Sequence, residues 1–401
     1  MTIEIRNPAA EEWRAAMSAA MVTFADEPRD DDFERFQKTL VRERFWAAYD
    51  DGTPVGTAAD FPFRLTVPGG ELAAGGVTWV AVLPSHRRRG ILTQLMRREL
   101  EDLHEREEPL ALLWASEAAI YGRFGYGMAA PHYEMNADSG RFVLRDDPGP
   151  QGKVRLLPLE DAVEPCMHVY ERLRLEIPGF TARAREWWEE FRLADPEQWR
   201  YGASPKYVAI VELDGEPAAY AIYRIKSEWA DGFSKGVVRV VEALAATLPA
   251  ERELWRFLFG IDLTVSVKSR LDPASPLPLM TLDARSLHAH LMDGLWLRLV
   301  DVGAALAGRS YAGEDEVVIA VRDEFCPWNT GRWRVGRGAE RTDEEADLEL
   351  DVADLASPYL GAFSFTRLAA AERVRELRDG ALARADALFR TSRPPYCPED
   401  F

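Results

Sequence analysis

The sequence predicts a mixed α/β fold of the α+β class: one α/β unit occurring twice, then a segment of different pattern. Three observations predict it. The order hairpin, strand, helix, strand occurs twice at similar spacing. Two stretches rich in proline and glycine, Asp146-Asp-Pro-Gly-Pro-Gln-Gly152 and Asp272-Pro-Ala-Ser-Pro-Leu-Pro278, fit junctions between domains. Beyond the second stretch the pattern changes to a helix, three strands and two more helices. These junctions divide the 401 residues into 1–147, 148–285 and 286–401, each near the usual size of a domain.

In the first segment, Phe45 to Tyr49 and Val55 to Asp60 read as strands. Asp51-Gly52 between them tolerates positive φ and signals a hairpin. An apolar strand over Val77 to Leu83, a helix from about Gly90 to Leu103 and a buried strand over Leu110 to Ala115 follow. In the second segment, Tyr207 to Leu213 and Ala218 to Ile225 flank Asp214-Gly215 in the same way. A strand over Val237 to Val241, a helix over Glu251 to Leu258 and a strand over Leu263 to Val267 complete that copy. The third segment opens on a helix-like run, Leu287 to Leu306. Strands over Glu316 to Arg322, Arg332 to Val335 and Ala346 to Val352 follow, then helices over Leu368 to Leu377 and Ala381 to Phe389. The acidic stretch Asp343 to Asp351 alternates as an edge strand with a solvated face does.

Composition narrows the function. Basic residues number 49 and acidic residues 67, a net charge of −18. Such a chain repels nucleic acid and anionic membranes and attracts cations, so a polyamine-like substrate is physically reasonable. The three cysteines, Cys166, Cys326 and Cys397, are far apart and give neither a disulfide framework nor a metal spacing. The histidines are scattered, and no metal is expected. Met1-Thr-Ile-Glu-Ile-Arg lacks the basic and apolar regions of a signal peptide. The most apolar stretch, Leu295 to Ala307, is interrupted by Arg298 and Asp301. A cytoplasmic protein is expected.

Two segments carry chemistry. In Val80-Ala-Val-Leu-Pro-Ser-His-Arg-Arg-Arg-Gly-Ile-Leu92, a strand runs into a loop with three arginines and a glycine, where a helix begins. Free N–H groups at a helix start point at an anion, and the helix dipole favours negative charge. Gly90 lets the backbone come close. Arg87, Arg88 and Arg89 add charge and forked donors. A basic surface loop is the competing reading of these residues alone. In Trp114-Ala-Ser-Glu-Ala-Ala-Ile-Tyr-Gly-Arg-Phe-Gly-Tyr-Gly127, a strand ends near Ser116, and a short helix and glycine-rich turn carry Tyr121 and Tyr126. A phenol beside a leaving thiolate can protonate it; half-buried packing is the alternative for both tyrosines.

The arginine loop resembles the acetyl-CoA motif of the GNAT N-acetyltransferases, Arg-x-x-Gly-x-Gly/Ala, standing here as Arg87 to Leu92 with Leu92 in place of a small residue. The resemblance puts Val80 and Val82 against the pantetheine arm, and Arg87, Arg88, Arg89, Gly90, Ile91, Leu92 and Ser116 around acetyl-CoA. The joint pattern is narrower. Phe63-Arg-Leu-Thr-Val-Pro-Gly, the arginine loop, Ala115-Ser-Glu with Ile-Tyr-Gly-Arg-Phe-Gly-Tyr-Gly, Asp293-Gly-Leu-Trp-Leu-Arg and a terminal acid-Phe occur in order. Together they resemble the enhanced intracellular survival (Eis) acetyltransferases. That family implies two GNAT-like domains, the second inactive, and a third domain resembling sterol carrier protein 2. It also implies a homohexamer and broad acceptance of primary amines, aminoglycosides included.

By the same resemblance, Tyr121 is the general acid and the carboxylate of the last residue, Phe401, is the general base. Phe24, Asp26, Phe36, Trp79 and Asp400 are expected around the amine, with Phe36 standing where the family has a larger aromatic. Carboxylates hold ammonium groups and aromatic faces cover them. Without the resemblance, Pro394-Pro-Tyr-Cys-Pro-Glu-Asp-Phe401 reads only as a stiff, aromatic-ended tail. The competing function is a non-catalytic binder of acetyl-CoA or lipid, which needs the arginine loop but neither Tyr121 nor Phe401.

Overall fold

The computed structural model describes residues 3–27 and 29–401. Met1 and Thr2, the start of the segment read above for a leader, lie outside the described residues. The chain forms two compact units. The first takes residues up to 130, 294–395 and 399–401; the second takes 131–293 and 396–398. Each is described by itself.

The first unit begins with β1 (Glu4–Arg6), α1 (Trp13–Thr23), α2 (Asp30–Thr39), β2 (Phe45–Asp50), β3 (Thr53–Val67), β4 (Gly70–Val82), α3 (Ile91–Glu105), β5 (Leu110–Trp114) and α4 (Ala118–Tyr121); β6 (Gly127–Asp138) then leads onward. Asp51-Gly52 makes the expected turn with both residues at positive φ. Asp30, Asp31 and Asp32 form the first turn of α2, where negative charge suits the helix dipole. β2, β3 and β4 are antiparallel, whereas β5 runs parallel to β4 with α3 as the crossover. The apolar spacing of α3 explains its position. Ile91 and Leu95 pack on Trp46, Ala48, Val55 and Ala58; Met96, Leu100 and Leu103 pack on Val77, Ala111, Leu113 and Tyr121.

The strand expected to end at Asp60 runs on to Val67. Asp60 is fully buried in mid-strand because Arg44, buried beside it, donates to its carboxylate through Nε at 2.7 Å and also reaches Glu108. Glu99 of α3 is buried near the same carboxylate, and burial, then the Asp60 charge, pushes its carboxyl well above the usual range.

The second unit holds β7 (Lys153–Leu157), α5 (Val163–Arg174), α6 (Arg185–Trp187), β8 (Tyr207–Leu213), β9 (Glu216–Lys226), the ribbon β10 (Trp229–Ala230) and β11 (Phe233–Ser234), β12 (Gly236–Ala245), α7 (Leu248–Phe259), β13 (Thr264–Leu271) and α8 (Leu277–Met280). Its sheet runs β6-β13-β12-β9-β8-β7. Hairpin β8–β9, then β12, α7 and a parallel β13 repeat the order of β2 to β5. Both proline-glycine stretches are loops inside this unit, tightened where Asp147 accepts from Gly149 N and Asp272 from Ala274 N.

The chain returns to the first unit through β14 (His290–Leu299), α9 (Val302–Ala307), β15 (Val317–Arg322), β16 (Gly331–Val335), β17 (Ala339–Arg341), β18 (Leu348–Asp351), α10 (Val352–Tyr359), α11 (Phe365–Ala370), β19 (Val374–Glu376) and α12 (Ala381–Phe389). Three expectations are corrected here. The run Leu287 to Leu306 is not one helix: Leu295 to Leu299 pair with β5, and a short α9 follows, capped by the Asp301 side chain. Apolar residues alone do not tell a strand from a helix in so short a segment, and the open edge of β5 decides it. The run Leu368 to Leu377 breaks at Glu372, whose φ of +59° ends the helix, and its remainder pairs with β18. The acidic strand is not at an edge but between β15 and β19. Its Asp347 is buried, accepts from Val318 N at 2.9 Å and pairs with Arg378 and Arg384. No described helix is long and apolar enough to cross a membrane.

Candidate active site

The site starts where two parallel strands part. β4 pairs with β5 only over Ala74 to Gly76. Past Gly76, β5 continues against β14 as far as Trp114, while Val77 to Val82 keep β3 on one side only. The free side of β4 therefore has no strand partner among the described residues and is a template for an extended ligand. Trp79 and Val80 face the single residue Ala58 across β3, a bulge in which Trp79 takes φ +53°. The Thr57 hydroxyl donates to the Trp79 carbonyl at 2.6 Å and holds it there. The bulge aims the indole at Phe36, whose ring meets it edge-on at 4.8 Å.

β4 ends in a turn over Pro84 to His86 and the three arginines. Gly90 takes φ +78° as the cap of α3, a conformation that an L side chain resists. No described side chain caps that helix, which leaves its first-turn N–H groups available to an anion. The arginines differ in what they do. Arg89 is tied to Asp50 at 3.1 Å, and His86 approaches the same carboxylate at 3.3 Å. Arg87 and Arg88 are exposed, Arg87 touching only the Val82 carbonyl at 3.4 Å among the described residues. Ile91 is buried and anchors the helix start, whereas Leu92 packs inward beside Val80 against the Met96 cluster. The Leu92 side chain therefore serves the core. No described group of histidine, cysteine and acidic side chains could hold a metal ion.

Tyr121 ends α4 and packs in the cluster that holds Val77, with Val80 and Leu92 against it. Its ring sits 6.0 Å from that of Tyr126. Tyr126 is buried throughout, as a packing residue is, and Tyr121 retains 7% exposure. Burial, then the nearby Glu117 carboxylate, pushes the Tyr121 phenol above its ordinary value. Ser116 is exposed at the end of β5.

The chain terminus docks at the same fork. The Phe401 ring lies 5.1 Å from Phe63 and 6.5 Å from Phe61. A Cβ placed on Gly76 would come within 3.3 Å of it. Gly76 is also the last residue of β4 paired with β5. The structure thus brings together Phe401 with β4, Tyr121 with Val77 in one core cluster, and Trp79 with Phe36. Phe24, 54% exposed, and Asp26 stand in solvent after α1, and Asp400 is exposed in the tail. Sequence reasoning missed Phe61 as a seat for the terminal ring and gave Phe63 no role. Their alternate spacing on an apolar strand was the available signal.

Residues 4–129 match an acetyltransferase (GNAT) domain family, 179–299 match a second acetyltransferase (GNAT) domain family, and 302–398 match a sterol carrier protein domain family. The chain is 41% identical to an uncharacterized N-acetyltransferase of Streptomyces avermitilis, the match covering all of both. It is 33% identical to N-acetyltransferase Eis of Mycobacterium tuberculosis, again over all of both. The crystal structure of Eis1 from Mycobacterium abscessus aligns over all of both chains with a TM-score of 0.87 at 33% identity. The fold is two GNAT domains and a C-terminal sterol-carrier domain, as expected.

Proposed function

The chain belongs to the Eis family of acetyl-CoA-dependent N-acetyltransferases, and on that premise we propose that it acetylates a broad range of primary amines, aminoglycosides among them, with Tyr121 as general acid and the Phe401 carboxylate as general base. One observation carries the reading: the terminal ring is seated at Gly76, where β4 and β5 part, and Tyr121 shares a core cluster with Val77, the next residue of the same strand.

Each group then has one task. Arg87, Arg88 and the open start of α3 hold the pyrophosphate; Gly90, Ile91 and Leu92 shape that start, and Arg89 braces it through Asp50. Val80 and Val82 offer their backbone to the pantetheine arm, and Ser116 lies at the opposite strand end. Phe36 and Trp79 cover the amine, and Asp26 and Asp400 attract its positive charge, with Phe24 at the rim. As nitrogen bonds to the acetyl carbon, Phe401 takes the proton that nitrogen loses. As the carbon–sulfur bond breaks, Tyr121 gives its proton to the thiolate, leaving an amide and a thiol. The bounds 1–147, 148–285 and 286–401, a homohexamer and a cytoplasmic setting belong to the same reading. Light scattering tests the hexamer, with an expected mass of six times the 45.2 kDa protomer.

The test of function is thiol release from acetyl-CoA across a panel of polyamines and aminoglycosides, on protein with an untagged C-terminus. Amine-dependent release is expected; release no faster than without enzyme across the panel would leave the non-catalytic binder. The double charge reversal Arg87→Glu, Arg88→Glu should weaken acetyl-CoA binding by about 100-fold or more, since charged hydrogen bonds contribute about 1.5–3 kcal/mol each. Its melting temperature should not move, because both side chains are exposed. Calorimetric titration checks the first expectation, and unchanged affinity would place the pyrophosphate elsewhere.

A further inference from the structure

The second GNAT domain starts its helix differently. The Thr247 side chain accepts from Ala250 N, and Pro249 removes a first-turn donor, so α7 has no open, arginine-flanked start to offer an anion. Yet this unit keeps the rest of the device: parallel strands that part, here after Arg239, and a bulge between Val240 and Glu242.

On the opposite face, beside α5, the chain's own tail joins the core. Tyr396 is buried in the cluster that includes Val169, Tyr170, Phe180, Trp188, Tyr220 and Leu244. Its backbone N donates to the Pro178 carbonyl at 3.0 Å. Gly179 lies under it at φ +100°, and a Cβ there would come within 2.8 Å of the Tyr396 carbonyl oxygen. Two residues on, the buried Arg192 guanidinium donates to the Pro398 carbonyl at 3.2 Å. Arg192 is itself steadied by Glu242, 3.9 Å away at the bulge, which also takes Arg183 at 2.6 Å and the Tyr220 hydroxyl. A carboxylate at a bulge is useless for binding an anionic cofactor. As the counter-charge of a clamp it has a role.

We propose that the second GNAT domain serves as a clamp on residues 396–398, with Arg192 and Gly179 as positioning residues for the terminal carboxylate three residues further on. The inference rests on Phe401 acting as the base. Two backbone grips and a buried ring fix the tail before Glu399, so the last residues reach their seat with little freedom left to lose. A terminal carboxyl group without such a hold frays.

The test uses the full chain with Arg192→Lys, which keeps a cation beside Glu242 but removes the forked donor, and separately Gly179→Ala, which strains the φ +100° backbone. Each variant is also made without Phe401. In the full chain, kcat should fall by about 100-fold, the loss expected for a small misplacement, with KM for acetyl-CoA unchanged. In the chain lacking Phe401, neither substitution should lower kcat further. Carboxypeptidase A should also remove Phe401 faster from both variants, followed by intact mass. Release of Phe401 at the native rate from both would overturn the clamp, as would an equal fractional loss of kcat with and without Phe401. Failure of both variants to fold would overturn it too, assigning the segment to the stability of the second unit. If removal of Phe401 itself left turnover intact, the base reading would fail, while the carboxypeptidase rates would still report on the clamp.

Discussion

Deletion of Phe401 is expected to lower turnover by about 10²–10⁴-fold, the usual contribution of a positioned general base, while acetyl-CoA binds as tightly as before. The deletion does more than shorten a tail. It removes the ring that packs on Phe63 and Phe61, and it moves the terminal carboxylate to Asp400, which is exposed. A tag extending past Phe401 should be equally damaging, because an amide carbonyl replaces the carboxylate and cannot take a proton from an ammonium group. The proposed anchors of the cofactor, by contrast, are Arg87, Arg88 and the start of α3, far from the tail in sequence. Paired measurements of thiol release and of acetyl-CoA affinity separate the two effects. Unchanged kcat in the deletion would remove the carboxylate from the reaction.

Tyr121→Phe is expected to slow turnover by about 10²–10⁴-fold with little change in acetyl-CoA affinity. The phenol hydroxyl makes no hydrogen bond to the described protein, so its loss should also leave the melting temperature nearly unchanged. The pH dependence has a definite sign. The competent form of a general acid is the protonated one. Burial, and then Glu117, raise the Tyr121 phenol above its ordinary value near 10. Its contribution to kcat should therefore persist through neutral pH and fade only above the value of an ordinary tyrosine. Glu117→Gln removes that raising charge and should move the alkaline limb down. A pH–rate profile measures both, and a normal rate for Tyr121→Phe would refute the proton-donor role.

Much of the architecture was legible in short-range pattern. Asp51-Gly52 and Asp214-Gly215 set their hairpins because few other dipeptides accept the left-handed turn. The spacing of Ile91, Leu95, Leu100 and Leu103 made one face of α3 apolar and so placed it on the sheet. The arginine loop with Gly90 foretold a turn into a helix start, with charge, a glycine and that start coinciding within a few residues. These features are local, and local chemistry is what a sequence states by itself. Only the tertiary structure decided the rest. Leu295 to Leu299 became strand because β5 had an open edge to satisfy. Asp60 could sit in mid-strand because Arg44 arrives from another part of the chain. The acidic strand moved inward because Arg378 and Arg384 neutralise Asp347. Above all, the sequence ends in a phenylalanine like any other, and its place beside Gly76 depends on partners, Phe61 and Phe63, more than 300 residues away along the 401-residue chain. Pairings across such separations carry no mark in the linear order, because the energy that selects them arises only when folding has brought the two surfaces together.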